Sequence, residues 1–153
     1  IINYILITWD GQYFIVNDAP NEDSFNPFYR VDYTGNVIET ITSNDTYSAN
    51  AAVWVEGHSD GQLWVHDYQL DTISQLAYND GIFEVVASYP SGGSTVVNFD
   101  LAHDGTDLYY SGNSSTILNQ VDDGIVEMPP WLSLSDYSGN ILQGASFSLD
   151  VQL

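Results

Sequence analysis

The sequence predicts an all-β fold, on three observations. Apolar and polar residues alternate along short runs rich in Val, Ile, Tyr, Phe and Trp, the pattern of half-buried strands. Asp-Gly pairs, which favour tight hairpin turns, stand at Asp10, Asp60 and Asp104, separated by 50 and 44 positions. No stretch carries apolar residues at helical spacing over a dozen positions. With 153 residues, 44% apolar and 14% aromatic, the chain has the composition of something that buries a core.

The elements follow in order. A first unit reads "INYILIT" (2–8), "QYFIVND" (12–18), an insertion "APNEDSFNP" (19–27), then "FYRVDY" (28–33) and "NVIETI" (36–41). A second reads "AAVWVEG" (51–57), "QLWVHDY" (62–68), "TISQLAY" (72–78) and "IFEVVASY" (82–89), with "HSDG", "QLD" and "NDG" as its turns. A third reads "STVVNFDLA" (94–102), "DLYYSG" (107–112), "TILNQV" (116–121) and "GIVEM" (124–128). Each is a four-stranded antiparallel meander, and the spans divide at about 1–46, 47–92 and 93–128.

One meander cannot bury both of its faces alone. Packed face to face around an axis, neighbouring sheets cover one another, which is the architecture of a β-propeller. The segments "TWDGQYFIV", "HSDGQLWVH" and "AHDGTDLYY" resemble propeller blades of the WD-repeat-like or sugar-lactonase-like kind, over about residues 2–128. The Trp-Asp signature of true WD repeats is missing, since Trp9-Asp10 opens a turn and does not end a strand. Known propellers have at least four blades, so three imply a partial propeller that further chain or a partner completes.

Pro129-Pro130 marks a boundary before "WLSLSDYSGNILQGASFSLDVQL" (131–153). Trp131, Leu132, Ser133, Ser138, Gly139, Gly144 and Ser146 resemble the start of an immunoglobulin-like module of large secreted Bacteroidetes proteins. Asp136-Tyr137 depart from that family's Pro-Thr, and the span is truncated relative to the roughly seven strands of a sandwich. The resemblance implies a secreted or cell-surface bacterial protein, exported by the type IX route, of which these residues are a fragment.

Charge narrows the partners. Twenty-one acidic residues face one basic residue, Arg30, for a formal charge of −20. Nucleic acid and anionic membrane surfaces both require a basic footprint, so neither is expected, and no membrane insertion is expected either. The opening "IINYILIT" is too short for a span and lacks the basic flank of a signal peptide. Acidic side chains along strand edges keep β-rich proteins from pairing edge to edge; binding of divalent cations or life in a saline habitat would call for the same charge. Cysteine is absent, which removes disulfides, thiolate metal sites and a cysteine nucleophile.

Candidate chemistry concentrates in three groups. His58 and His103 precede Asp-Gly turns, where an imidazole bonds turn backbone; His66 stands beside Asp67 and could pair with it or bind metal. Asp104, Asp107, Asp122 and Asp123 form the best calcium candidate if strand pairing joins their turns, although turn formation explains Asp residues equally well. Trp54, Trp64, Tyr68, Tyr109 and Tyr110 fall at repeat-related places and are ligand-binding candidates, flat rings suited to saccharide; packing between sheets would use them too. Glu56 and Glu84 are carboxylates that could face a groove, but nothing in their spacing makes them a glycosidase pair. "SGGST" (91–95) lacks the lysine and the following helix of a phosphate loop. "NDT" (44–46) and "NSS" (113–115) fit the N-glycosylation acceptor pattern, and "DTI" (71–73) a bacterial O-glycosylation signal.

The functional expectation is a non-catalytic extracellular binding or adhesion scaffold with no cofactor other than calcium. Its partners would be other domains or subunits, and polysaccharide. A carbohydrate-active propeller hydrolase or lyase is the alternative, and a subunit of an extracellular filament or matrix the third. An enzyme would show converging carboxylates in a pocket; a filament subunit would expose Val53 and Val55, or Leu108 and Tyr110, at an open edge.

Overall fold

A computed structural model describes residues 4–18, 26–46, 48–58, 60–91, 99–112, 118–121, 123, 133–134 and 151–152. Every regular element among them is a strand, and none is a helix long and apolar enough to cross a membrane. The first meander comprises β1 (Tyr4–Trp9), β2 (Phe14–Asp18), β3 (Phe28–Val31) and β4 (Val37–Ser43). The second comprises β5 (Ala49–Trp54), β6 (Leu63–Asp67), β7 (Thr72–Asn79) and β8 (Ile82–Pro90). A third sheet is formed by β9 (Phe99–His103), β10 (Leu108–Gly112) and β11 (Asn119–Val121).

The turns form for the reasons their residues suggest. Asp80 (φ 46°) and Gly81 (φ 85°) both adopt the left-handed backbone of a two-residue hairpin between β7 and β8. At Asp10 the carboxylate accepts the N–H groups of Gln12 (2.8 Å) and Tyr13 (2.6 Å); at Asp104 it accepts those of Thr106 (2.9 Å) and Asp107 (2.9 Å). These are the same Asx turn built twice, the repeat expressed in hydrogen bonds.

Sheets expected to stay separate are joined at one place. The order β1-β2-β3-β4-β8-β7-β6-β5 is one eight-stranded sheet, because β4 and β8 pair in parallel through Thr42–Ile82 and Ser43–Phe83. The N–H of Thr42 also donates to the Gly81 carbonyl at 3.0 Å. The physical reason is edge satisfaction: two meanders packed face to face bring their last strands together, and the free backbone groups bond each other there. At the other end β1 and β5 lie side by side, with the Trp54 N–H donating to Thr8 Oγ1 at 3.0 Å. The sheet is therefore nearly closed into a barrel.

All eight strands feed one interior. Leu6, Ile15, Phe28, Ile41, Ala49, Leu63, Val65, Leu76 and Phe83 form a single buried cluster, with Phe28 and Phe83 edge to face at 5.3 Å. A second cluster lies on the opposite side of the second meander. Ala51, Val55, Trp64 and Ile73 pack there against Phe99 and Leu108 of the third sheet. Strand β6 alternates between the two, Leu63 and Val65 facing one core and Trp64 the other, so that all five of its residues are buried. On β5 the alternation slips: Ala49 belongs to the first core and Ala51 to the second. A register shift between these residues, a β-bulge, exchanges the faces.

The fourth strand expected of the third unit (124–128) lies outside the described residues. Of the tail, β12 (Ser133–Leu134) and β13 (Val151–Gln152) pair antiparallel, and Trp131, Leu132, Ser138, Gly139, Gly144 and Ser146 lie outside the described residues.

Phe83 fills the first core at 0% exposure, whereas Ile38 on β4 is 52% exposed. Phe83→Ala should cost about 3–5 kcal/mol in urea denaturation and Ile38→Ala less than about 0.5 kcal/mol. Equal costs would mean that the barrel interior is not the core.

Candidate functional site

A cleft of about 370 Å³ opens between the first two meanders. That lies within the range of about 300–1,000 Å³ usual for small-molecule sites. Its walls are the β1–β2 turn (Asp10, Gln12, Tyr13), Arg30 of β3, Trp54 at the end of β5, the Asp60–Gln62 turn and Ala77–Tyr78 of β7. The same tripeptide, Asp-Gly-Gln, contributes from both meanders, at 10–12 and 60–62. In the third repeat the corresponding residue is Thr106, and this turn is not part of the cleft.

Arg30, the chain's one basic residue, is fixed at this junction. Its Nε donates to Asp10 Oδ2 at 3.1 Å, its Nη1 to Glu39 Oε2 at 2.7 Å, and its guanidinium lies over the Tyr78 ring at 4.3 Å. Tyr78 in turn donates its hydroxyl to Glu39 Oε1 at 2.5 Å. Burial works against the guanidinium charge, but the hydrogen bonds and charges of Glu39 and Asp10 outweigh it and raise its pKa. The Tyr78 hydroxyl, and then Arg30, hold Glu39 below the usual carboxylate range. The facing turn is held equally firmly. Gln75 Nε2 donates to the Gly61 carbonyl at 2.7 Å, and Gly61 sits so close to β7 that a Cβ there would meet Val86 at 2.9 Å and the Leu76 carbonyl at 3.0 Å.

A second cluster closes the junction between the second meander and the third sheet. His58 Nε2 lies 3.4 Å from Asp123 Oδ1, and His103 Nε2 donates to Asp123 Oδ2 at 2.8 Å. The carboxylate is fully buried between them. The other ring nitrogens decide the chemistry. His58 Nδ1 accepts the indole N–H of Trp64 at 2.7 Å, and His103 Nδ1 accepts the Gly105 N–H at 3.0 Å. Each Nδ1 faces a donor, so each Nε2 carries a proton. A metal ion would need those Nε2 lone pairs and would leave Nδ1–H groups facing N–H donors; the cluster suits a carboxylate and not a cation. The backbone bond expected of the turn histidines is made by the His103 ring; the His58 ring bonds Trp64 instead.

His66 is buried in a third network. Its Nδ1 is 2.6 Å from Asn50 Oδ1, its Nε2 is 3.2 Å from Ser91 Oγ, and its ring stacks on Phe99 at 3.5 Å. Asn-His-Ser has the connectivity of a hydrolase relay, but Ser91 donates its hydroxyl to Asp71 Oδ1 at 2.5 Å and is itself buried. The serine is therefore a structural link, not an available nucleophile. Asp67, the suggested partner of His66, accepts the N–H groups of Ser48, Gln69 and Leu70.

The remaining sequence candidates separate. Asp104 is held by backbone N–H groups below the usual carboxylate range, Asp107 accepts from Gln120 Nε2, Asp123 meets the histidines, and Asp122 lies outside the described residues. Among the described residues, no three metal-ligating side chains are grouped to hold an ion. The aromatic candidates do not share one surface. Trp64 is fully buried and stacks near Tyr89, Tyr110 stacks on Phe99 at 5.4 Å within the second core, and the Tyr109 hydroxyl bonds Asp104. Tyr68 is half-buried in the β6–β7 turn, and Trp54 alone of the five lines the cleft. The sequence reading names Arg30 only as the one basic residue and does not select Gln12, Tyr13 or Gln62; the shared Asp-Gly-Gln is the signal that points to the two amides.

Burial depresses the His66 pKa from 6.5 to about 4, against the opposing charges of Asp67 and Asp71. The ring is neutral in the fold, and the unfolded chain takes up the proton first as pH falls. Its contribution is complete above about pH 6.5 and is lost as pH drops toward about 4, at most about 3 kcal/mol. His66→Gln should flatten the urea-midpoint profile in that window; an unchanged slope would show that this ring is not the titrating group. Asp123→Asn should cost about 1.5–3 kcal/mol and speed amide exchange in β9–β11 more than in β1–β4. Uniform exchange across both would mean that the histidine contacts do not hold the third sheet.

Compared with known proteins, the chain matches no family model, no curated relative and no solved structure.

Proposed function

We propose that the chain is a non-catalytic binding and adhesion scaffold of an extracellular or cell-surface protein, built of blade-like units around a shared centre. One observation carries the reading: the second meander is covered on both faces by its neighbours, while the first strands β1, β5 and β9 lie side by side. They border a cleft of about 440 Å³ between Leu6, Val16, Asn50, Ala52 and Leu101, the place of a propeller's central channel. The two-residue β4–β8 bridge is then a local link between the outer edges of adjacent blades.

The carboxylates favour binding over catalysis. Asp32, Glu39 and Asp104 are each shifted down by hydrogen-bond donors, the ionisation of an acceptor and not of a general acid. Asp10, in the cleft, spends its oxygens on turn backbone and Arg30. The filament reading draws less support: Val55 and Leu108 are buried and Val53 and Tyr110 pack within the second core, so these residues do not form an open apolar edge. An exposed Asn44 at the "NDT" acceptor and the resemblance of 129–153 to secreted modules support an external location.

The test combines retention with turnover. The labelled chain should bind saturably to at least one surface in a panel of immobilised polysaccharides and matrix proteins, and should release no reducing ends from the polysaccharides over a day. Product release would overturn the non-catalytic reading. Failure to bind any surface would overturn the scaffold reading.

A further inference from the structure

The cleft between the first two meanders has a chemistry that selects its ligand. Its cation is already spent: Arg30 is bonded to Asp10 and Glu39 and stacked on Tyr78. Three carboxylates, Asp10, Glu39 and Asp60, stand at or beside the opening against that single positive charge, so an anionic ligand would be repelled. The groups remaining for a ligand both donate and accept. Gln62 makes one long contact, Nε2 to the Glu56 carbonyl at 3.5 Å, and Gln12 gives one N–H to the Tyr13 hydroxyl at 3.0 Å, leaving that hydroxyl its own proton to donate. Two amides, a phenol and the Asp60 carboxylate around the Trp54 side chain match a molecule whose hydroxyls act in both directions and whose C–H faces are apolar. A polyamine, which only donates, would leave the amide and phenol donors without partners.

We propose that this cleft binds a neutral saccharide, with Trp54 as the apolar wall and Gln12, Gln62, Tyr13 and Asp60 as the hydroxyl partners. The proposal rests on the scaffold reading above and assigns the ligand class and place that reading leaves open. The repeated Asp-Gly-Gln makes the site two-fold in character: equivalent turns of neighbouring units each supply a Gln beside an Asp, and the pair spans the junction. The turns are set before any ligand arrives. The Arg30 network fixes one side; the Gly61 contact with β7 and the Gln75 bond fix the other. Little ordering therefore accompanies binding, which suits a weak, reversible carbohydrate contact.

The test is calorimetric titration of the intact chain with neutral pentasaccharides of glucose, mannose and xylose, with pentagalacturonate as the anionic probe and spermidine as the cationic one. At least one neutral pentasaccharide should bind more tightly than either charged probe. Gln62→Ala and Asp60→Ala, both at turn positions, should weaken it about tenfold each, and Trp54→Ala more, with Trp54→Phe recovering part of the loss. Tyr33→Ala, which removes an aromatic residue 88% exposed on the β3–β4 turn, should change nothing. The proposal is overturned if no neutral sugar binds, if a charged probe binds more tightly, or if the turn variants keep full affinity. Surface retention that survives Gln62→Ala and Asp60→Ala would leave the scaffold standing and remove the cleft as its binding site; absence of both kinds of binding would remove both.

Discussion

The structure depends on burying both faces of the second meander. Strand β6 shows the requirement in its purest form, since Leu63, Trp64, Val65, His66 and Asp67 are all inaccessible although the last two are polar. A strand buried on both sides cannot alternate apolar with solvated residues, and each polar side chain it carries must find partners inside the protein. Those partners come from elsewhere in the chain: Asn50 and Ser91 for His66, and the backbone around residues 48 and 69–70 for Asp67. Removing either flanking sheet would expose one of the two cores to water. The three units are therefore interdependent in stability although most of their strand pairing runs between neighbours in sequence.

What could be read from sequence divides along that line. Strand positions follow from near-neighbour physics, and the runs chosen by alternation and Asp-Gly turns coincide with β1–β11. Chain-distant pairings do not announce themselves. The β4–β8 bridge depends on two edges meeting after packing, and the bulge between Ala49 and Ala51 changes which face a residue serves without altering its apparent pattern. His58 and His103 drew attention as turn residues, but what unites them is Asp123, 65 positions from His58 in sequence and adjacent only because the third sheet docks on the second. Trp64 was conspicuous as an aromatic and is wholly internal, whereas the amides Gln12 and Gln62 were inconspicuous and line the cleft. A prominent ring is as useful to a core as to a ligand; a solvent-facing amide repeated at equivalent turns has no core to serve.

The charge composition accounts for a further regularity. A chain with 21 acidic residues and one basic residue cannot pair its carboxylates with cations. Its folded structure meets the demand with N–H donors: backbone amides at Asp10, Asp32, Asp67 and Asp104, and the His103 imidazole at Asp123. Asx turns thus do two things at once. They set the hairpins, and at Asp32 and Asp104 they hold the carboxyl group below the usual carboxylate range.

Arg30 is the exception, and its location follows from scarcity. A single guanidinium stabilises most where it satisfies several acceptors at once, and the junction of the first two meanders offers two carboxylates and an aromatic face within its reach. Placed there, it joins β3 to β4, to the β1–β2 turn and, through Tyr78, to the second meander. The same placement fixes the character of the adjacent cleft. Because the positive charge is consumed by the fold, the opening presents amides, a phenol and acids without a free cation, and the neutral saccharide proposed for it would meet hydroxyl partners where phosphates, sulfates or uronates would meet carboxylates. Structural economy and ligand preference are here two consequences of one side chain.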